Sequence, residues 1–150
     1  MIANAPFLSD GTPMPTRYWL TDPELRAAVS RLESEGGVAA AARAVPSAAV
    51  EDAHRRYARE RDALIPAAHP GPRPSGGVGG TRRGVKCLHA HVAWWLTGAD
   101  DPIGQWVADQ LGVTRPTESG PDGHHDGDDG GVRAPGAGGG GDGRGRASKG

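Results

Sequence analysis

Residues 81–112 read TRRGVKCLHAHVAWWLTGADDPIGQWVADQLG, and the fold follows from how this stretch divides. Asp101-Pro102 is a helix start. The aspartate side chain offers an acceptor to the unpaired N–H groups of the first turn, and proline at the first helical position gives up an N–H that has no partner there. Ile103, Trp106, Val107 and Leu111 then recur on one helical face, and Gly112 supplies the left-handed conformation that ends a helix. Ahead of this element, Leu88, Val92, Trp95 and Leu96 mark a helix over about 86–97, closed by Gly98. Three of the four tryptophans fall in the pair, which therefore carries most of the core's buried area.

Toward the N-terminus, Thr21-Asp22-Pro23-Glu24 repeats the aspartate-proline start, and Leu25, Ala28, Val29 and Leu32 continue it at helical spacing as far as Gly36-Gly37. Val38 to Val45 reads as a short alanine-rich turn of helix stopped by Pro46. Ser47 caps the longest helix, which runs to about Ile65 with Val50, Ala53, His54, Tyr57, Arg61 and Leu64 inward. Pro6, Gly11, Pro13 and Pro15 make the first twenty residues an extended, turn-rich segment anchored by Tyr18-Trp19-Leu20. Residues 66–80 are rich in Pro and Gly, with Val78 the one sizeable apolar residue after Pro66, which is the composition of a long surface loop. The expected fold is mainly α: a small single domain over 1–115 of four helices, near 21–36, 47–65, 86–97 and 102–111, with irregular Pro/Gly-rich connections. Residues 116–150 hold 13 of the 25 glycines and, of aliphatic residues larger than alanine or proline, only Val132. They cannot bury enough surface to offset the cost of ordering a backbone, and they read as a disordered tail.

Net charge is −1 over the chain, and residues 1–115 carry 13 basic against 12 acidic side chains, so no overall field favours nucleic acid. The 15 arginines against 2 lysines are explained by a GC-rich coding sequence as readily as by guanidinium chemistry. A single cysteine, Cys87, excludes an intramolecular disulfide, and no run of 18 apolar residues is present to span a membrane. The start lacks the charged and apolar regions of a secretion signal, so a cytoplasmic location is expected.

The concentrated chemical signal is Cys87-Leu88-His89-Ala90-His91, because thiolate and imidazole are favoured zinc ligands and a thiol beside a histidine can act as a nucleophile. Within a helix, Cys87 and His91 share a face and His89 points away. All three can act together only if Cys87 and His89 lie in the approach to the helix, with His54 and His69 as candidate further ligands. The same residues also read as packing: a small buried cysteine and two histidines beside Trp94 and Trp95. Gly76-Gly77-Val78-Gly79-Gly80-Thr81 lacks the lysine and the preceding strand of a phosphate loop and reads as a flexible connection. Arg82, Arg83 and Lys86 can meet a phosphate or acidic partner, though solvated charge is the plainer account. In the tail, His124-His125 among aspartates has no pre-formed metal geometry.

The run from Asp10 to Thr21 (DGTPMPTRYWLT), the segment RERDAL over 59–64 and Val85 to His91 together resemble the bacterial family known as domain of unknown function 501, over roughly residues 5–112. No activity is established for that family, and its members are often encoded near a septum-formation initiator and an exopolyphosphatase-like protein. Relatives commonly carry a preceding segment with cysteines in a Cys-Pro context, and many have cysteine where this chain has Asp22. The resemblance therefore implies an ancestral metal site that includes the positions of Cys87 and His89. This chain is expected to begin downstream of the cysteine segment, with the Asp22 carboxylate the one group able to replace a missing ligand.

No nucleophile, general base and oxyanion stabiliser can be assembled from these residues, which favours a non-enzymatic cytoplasmic interaction module over an enzyme. Its expected partner is a protein from division or envelope assembly, met through Trp94, Trp95 or Trp106, with zinc as the candidate cofactor held by Cys87, His89 and His91. The alternative is a metal- or thiol-dependent enzyme using Cys87 with His89 or His91. Deletion of the chain from Pro116 onward should leave the thermal midpoint nearly unchanged in a calorimetric scan. A fall of several degrees would show that the tail packs on the domain.

Overall fold

The computed structural model describes residues 1–116. It is mainly helical, with five helices among the described residues: α1 (Pro23–Ser34), α2 (Gly37–Ala44), α3 (Ser47–Asp62), α4 (Leu88–Trp95) and α5 (Pro102–Leu111). Two short strands, β1 (Ile2–Ala3) and β2 (Tyr18–Trp19), pair antiparallel with Ile2 opposite Trp19 and Ala3 opposite Tyr18. The expectation of a disordered tail lies, from residue 117 on, outside the described residues.

Both aspartate-proline starts behave as their chemistry requires. Asp22 accepts the Leu25 N–H at 2.7 Å, and Asp101 Oδ1 accepts the N–H groups of Ile103 and Gly104 at 3.0 and 3.2 Å. Gly112, at φ 65°, ends α5, and the next residue's N–H turns back to the Ala108 carbonyl at 2.9 Å. Every residue of helix α4 but His89 is buried, from Leu88 through Ala90, His91, Val92 and Ala93 to Trp94 and Trp95. Such a helix is the centre of a fold and not its surface. One core cluster joins it to α1, α3 and α5 through Leu88, Val92, Trp95, Val29, Val50, Ile103 and Val107, and a second gathers Ala53, Tyr57, Val78, Ala90 and Trp94.

Four sequence expectations need correction. The alanine-rich segment after Gly36 is a full fifth helix and not a turn, because alanine is the best helix former and Ala41 is completely buried. Helix α3 stops at Asp62 in tighter bonds from Leu64 and Ile65 to Arg61 and Asp62, which leaves Leu64 52% exposed instead of inward. Helix α4 is shorter than 86–97, since Cys87 is extended (φ −144°, ψ 117°) and caps it. The 66–80 connection is not simply a surface loop, because Pro74, Gly77 and Val78 are buried. His54 holds its far end: Nδ1 accepts the Val78 N–H at 3.1 Å and Nε2–H donates to the Gly84 carbonyl at 2.8 Å. Gly77 packs against the His54 side chain, where a Cβ would stand 2.4 Å from His54 Cβ and 2.5 Å from the ring atoms Cγ and Nδ1.

The α4–α5 crossing depends on another glycine. A Cβ at Gly104 would stand 2.3 Å from Trp95 Cβ and 2.8 Å from the His91 carbonyl oxygen, so the two backbones approach only because no side chain intervenes. Gly104→Ala should lower unfolding free energy by about 1–3 kcal/mol, the usual cost of overpacking, in urea titration. An unchanged midpoint would mean that the crossing is looser than described.

Candidate metal centre

Three elements bring the centre together. Glu33 lies in the last turn of α1, where an acidic side chain opposes the helix dipole unless it has a partner of its own. It has two: Oε1 accepts the Leu88 N–H, the first of α4, at 2.6 Å, and Oε2 lies 3.3 Å from His89 Nδ1. The extended backbone of Cys87 takes its side chain off the helical lattice, and one donor atom from each of Glu33, Cys87 and His89 falls within 4.8 Å of the other two. All three residues are half-buried.

The hydrogen bonds of His89 decide what the centre can hold. Nε2 lies 3.2 Å from the Arg26 carbonyl and 3.2 Å from Ser30 Oγ. The Arg26 carbonyl only accepts, so a proton on Nε2 serves it and leaves Nδ1 a lone pair, whereas a proton on Nδ1 serves Glu33 and leaves Nε2 to accept from Ser30 Oγ–H. In the first arrangement the Nδ1 lone pair faces a Glu33 oxygen, also an acceptor, and a cation between the two satisfies both. A carbonyl that orients the non-ligating nitrogen is the arrangement found around metal-bound histidines.

Burial pushes the Cys87 thiol above its ordinary value, the Glu33 carboxylate adds to the rise, and the nearby backbone N–H groups of His89 and Ala90 oppose it. The thiol is therefore protonated at neutral pH, which disfavours an unaided nucleophile. A divalent cation reverses this logic, because it neutralises Glu33 and deprotonates the coordinating thiol. Beside the centre, Cys87 and His89 form one wall of a cavity of about 420 Å³ whose other wall includes Thr16, Tyr18, Trp19 and Leu20.

Of the sequence candidates, the structure groups Cys87 and His89 and places the others elsewhere. His91 is 1% exposed, its Nδ1–H donates to Asp101 Oδ2 at 2.7 Å, and its ring lies 5.7 Å from that of His54. The four-residue spacing to Cys87 does not bring them together, because the helical lattice begins only at Leu88. Asp22 caps α1, His54 pins the glycine loop, and His69 stacks on Phe7 at 4.2 Å. Trp94 and Trp95 are 2% and 3% exposed and spend their N–H groups on Glu60 and Gln105, so they are core and not contact surface. Trp106 is partly buried against the core, and the exposed tryptophan is Trp19 at 50%. Glu33 was missed: it lies 54 positions from Cys87, and its one sequence signal was a carboxylate at the unfavourable end of a helix.

A small helical domain with a Cys, His and carboxylate cluster at the joint of its first and fourth helices is the class these features define. The chain belongs to the family described as protein of unknown function (DUF501), whose model matches residues 1–109. No curated protein and no solved structure matches it. Among the described residues no helix is long and apolar enough to cross a membrane.

Alkylation of Cys87 by iodoacetamide in metal-free buffer should be slow at neutral pH, with a midpoint above the roughly 8.5 of a free cysteine. Glu33→Gln should lower that midpoint by removing the like charge. Rapid labelling near pH 6 would instead reveal a stabilised thiolate.

Proposed function

We propose that this protein is a metal-supported binding module, in which Glu33, Cys87 and His89 hold a zinc-class cation that staples the end of α1 to the start of α4. The observation that carries this reading is the cluster itself: Glu33 Oε2 and His89 Nδ1 stand 3.3 Å apart beside a thiol, with one donor atom of each residue within 4.8 Å of the other two. Carboxylate, imidazole and thiolate are all zinc ligands. The partner is a protein, met through the strand pair beside the cavity, where Trp19 and its cross-strand neighbour Ile2 are 50% and 55% exposed. Tryptophan is enriched where interfaces concentrate their binding energy. The family context suggests division or envelope assembly as its setting.

A second reading has its own support. Three protein ligands leave a fourth zinc position for water, the arrangement of catalytic rather than closed structural sites, and here a cavity adjoins it. On that reading the protein is a zinc-dependent hydrolytic enzyme, with the walls of Tyr18 and Trp19 selecting an apolar substrate.

Chelator competition with the purified chain should give one tight zinc site. Cys87→Ser or Glu33→Gln should weaken it by more than the roughly 10- to 100-fold that loss of an outer-shell partner costs, while His69→Ala leaves it unchanged. Equal zinc affinity in all four proteins would remove the proposed centre. A Trp19→Ala chain that binds zinc normally but no longer captures a partner supports the module, and turnover that requires zinc supports the enzyme.

A further inference from the structure

A second cavity, of about 790 Å³, lies between α3 and the glycine loop, away from the metal centre. Its charged lining is Arg55, Arg61, Arg82 and Arg83 against Glu51 and Asp62. We propose that it binds a compact, multiply charged anion bearing phosphate groups, independently of any metal at Cys87.

Arg61 is the first reason. It is 2% exposed, its Nε donates to Asp62 at 2.9 Å and its Nη1 to the Gly76 carbonyl at 2.8 Å. Its Nη2 has no hydrogen-bond partner among the described residues, and Arg61 is part of the cavity lining. A buried guanidinium with a spare donor on a cavity wall is a prepared anion contact, and its fork geometry suits phosphate.

The second reason is that the opposite wall is held in place. Arg82 and Arg83 have no acidic partner among the described residues, and the segment that carries them is fixed to α3 on both sides. His54 bonds Val78 and Gly84, and Arg61 bonds Gly76. Two guanidinium groups without an acidic partner among the described residues are thus carried on a stretch held at both ends, which reduces the entropy lost when an anion draws them in. Burial lowers the pKa of His54, and both its nitrogens are engaged, so it acts as the clamp and not as a charge. No Trp, Tyr or Phe lines the cavity, which leaves nothing to stack on a nucleobase and points to the phosphates themselves as the recognised group.

Isothermal titration of the full chain with pyrophosphate, at constant ionic strength, tests this. One saturable site is expected. Arg82→Ala/Arg83→Ala should weaken it by about tenfold or more, the scale of a charge-assisted hydrogen bond, without moving the thermal midpoint, because both residues are exposed. Glu51→Gln should tighten binding by removing a like charge from the wall, and Cys87→Ser should leave it unaltered. The proposal is overturned if pyrophosphate shows no saturable heat, or if the double variant binds as the natural chain does.

Discussion

The Asp101 carboxylate, with a side chain 0% exposed, is the interaction on which the rest of the structure depends. One oxygen takes the first two available N–H groups of α5, and the other takes the Nδ1–H of His91 in the middle of α4. A single buried group therefore starts one helix and fixes its angle to another. Neither duty is replaceable by an apolar residue: an N-cap contributes about 0.5–2 kcal/mol, and a buried polar pair that loses one member costs about 3–5 kcal/mol. Gly104, three residues after Asp101, has no side chain to hold the two backbones apart.

With α4 set in that way, the other features follow from where its ends fall. Its N-terminus meets the last turn of α1, and Glu33 answers the unpaired Leu88 N–H, which in turn places a carboxylate beside Cys87 and His89. On another side, Trp94 donates to Glu60, which also receives Tyr18 and Arg17, while the Tyr57 hydroxyl accepts the Arg17 N–H. Burial and the hydrogen bond to Glu60 push Tyr18 up to about 12, so the phenol stays protonated and the N-terminal strand pair stays tied to α3. The start of α4 thus lines the cavity beside the metal centre, while the second cavity is built by α3 and the glycine loop.

Local chemistry made much of this legible in the sequence. The two Asp-Pro starts, Gly112 and Pro46 act within a few residues of themselves, and each marks an element boundary close to where the structure has it. What local reading missed depends on distant partners. Nothing near Val78 or Gly77 says that His54, more than twenty positions earlier, pulls the loop inward. Trp94 and Trp95 read both as core area and as a candidate partner surface, and only the packing around α4, which buries both, separates the two. Cys87 and His89 were recognisable as ligands by type, but His91 was misgrouped because a helical spacing was applied across a residue that is extended. Glu33 could be found only once α1 and α4 were packed together.

The claim that most needs a direct measurement is that sulfur, imidazole and carboxylate share one ion at the α1–α4 joint. X-ray absorption at the zinc edge of the loaded full-length chain resolves this, since a thiolate neighbour lies at about 2.3 Å and nitrogen or oxygen neighbours at about 2.0–2.2 Å. One sulfur per zinc, with the remaining neighbours nitrogen and oxygen, and disappearance of that sulfur in Cys87→Ser, is the predicted result. A shell of nitrogen and oxygen alone in the natural chain, unchanged by Cys87→Ser, would place the ion elsewhere and leave Glu33, Cys87 and His89 as packing.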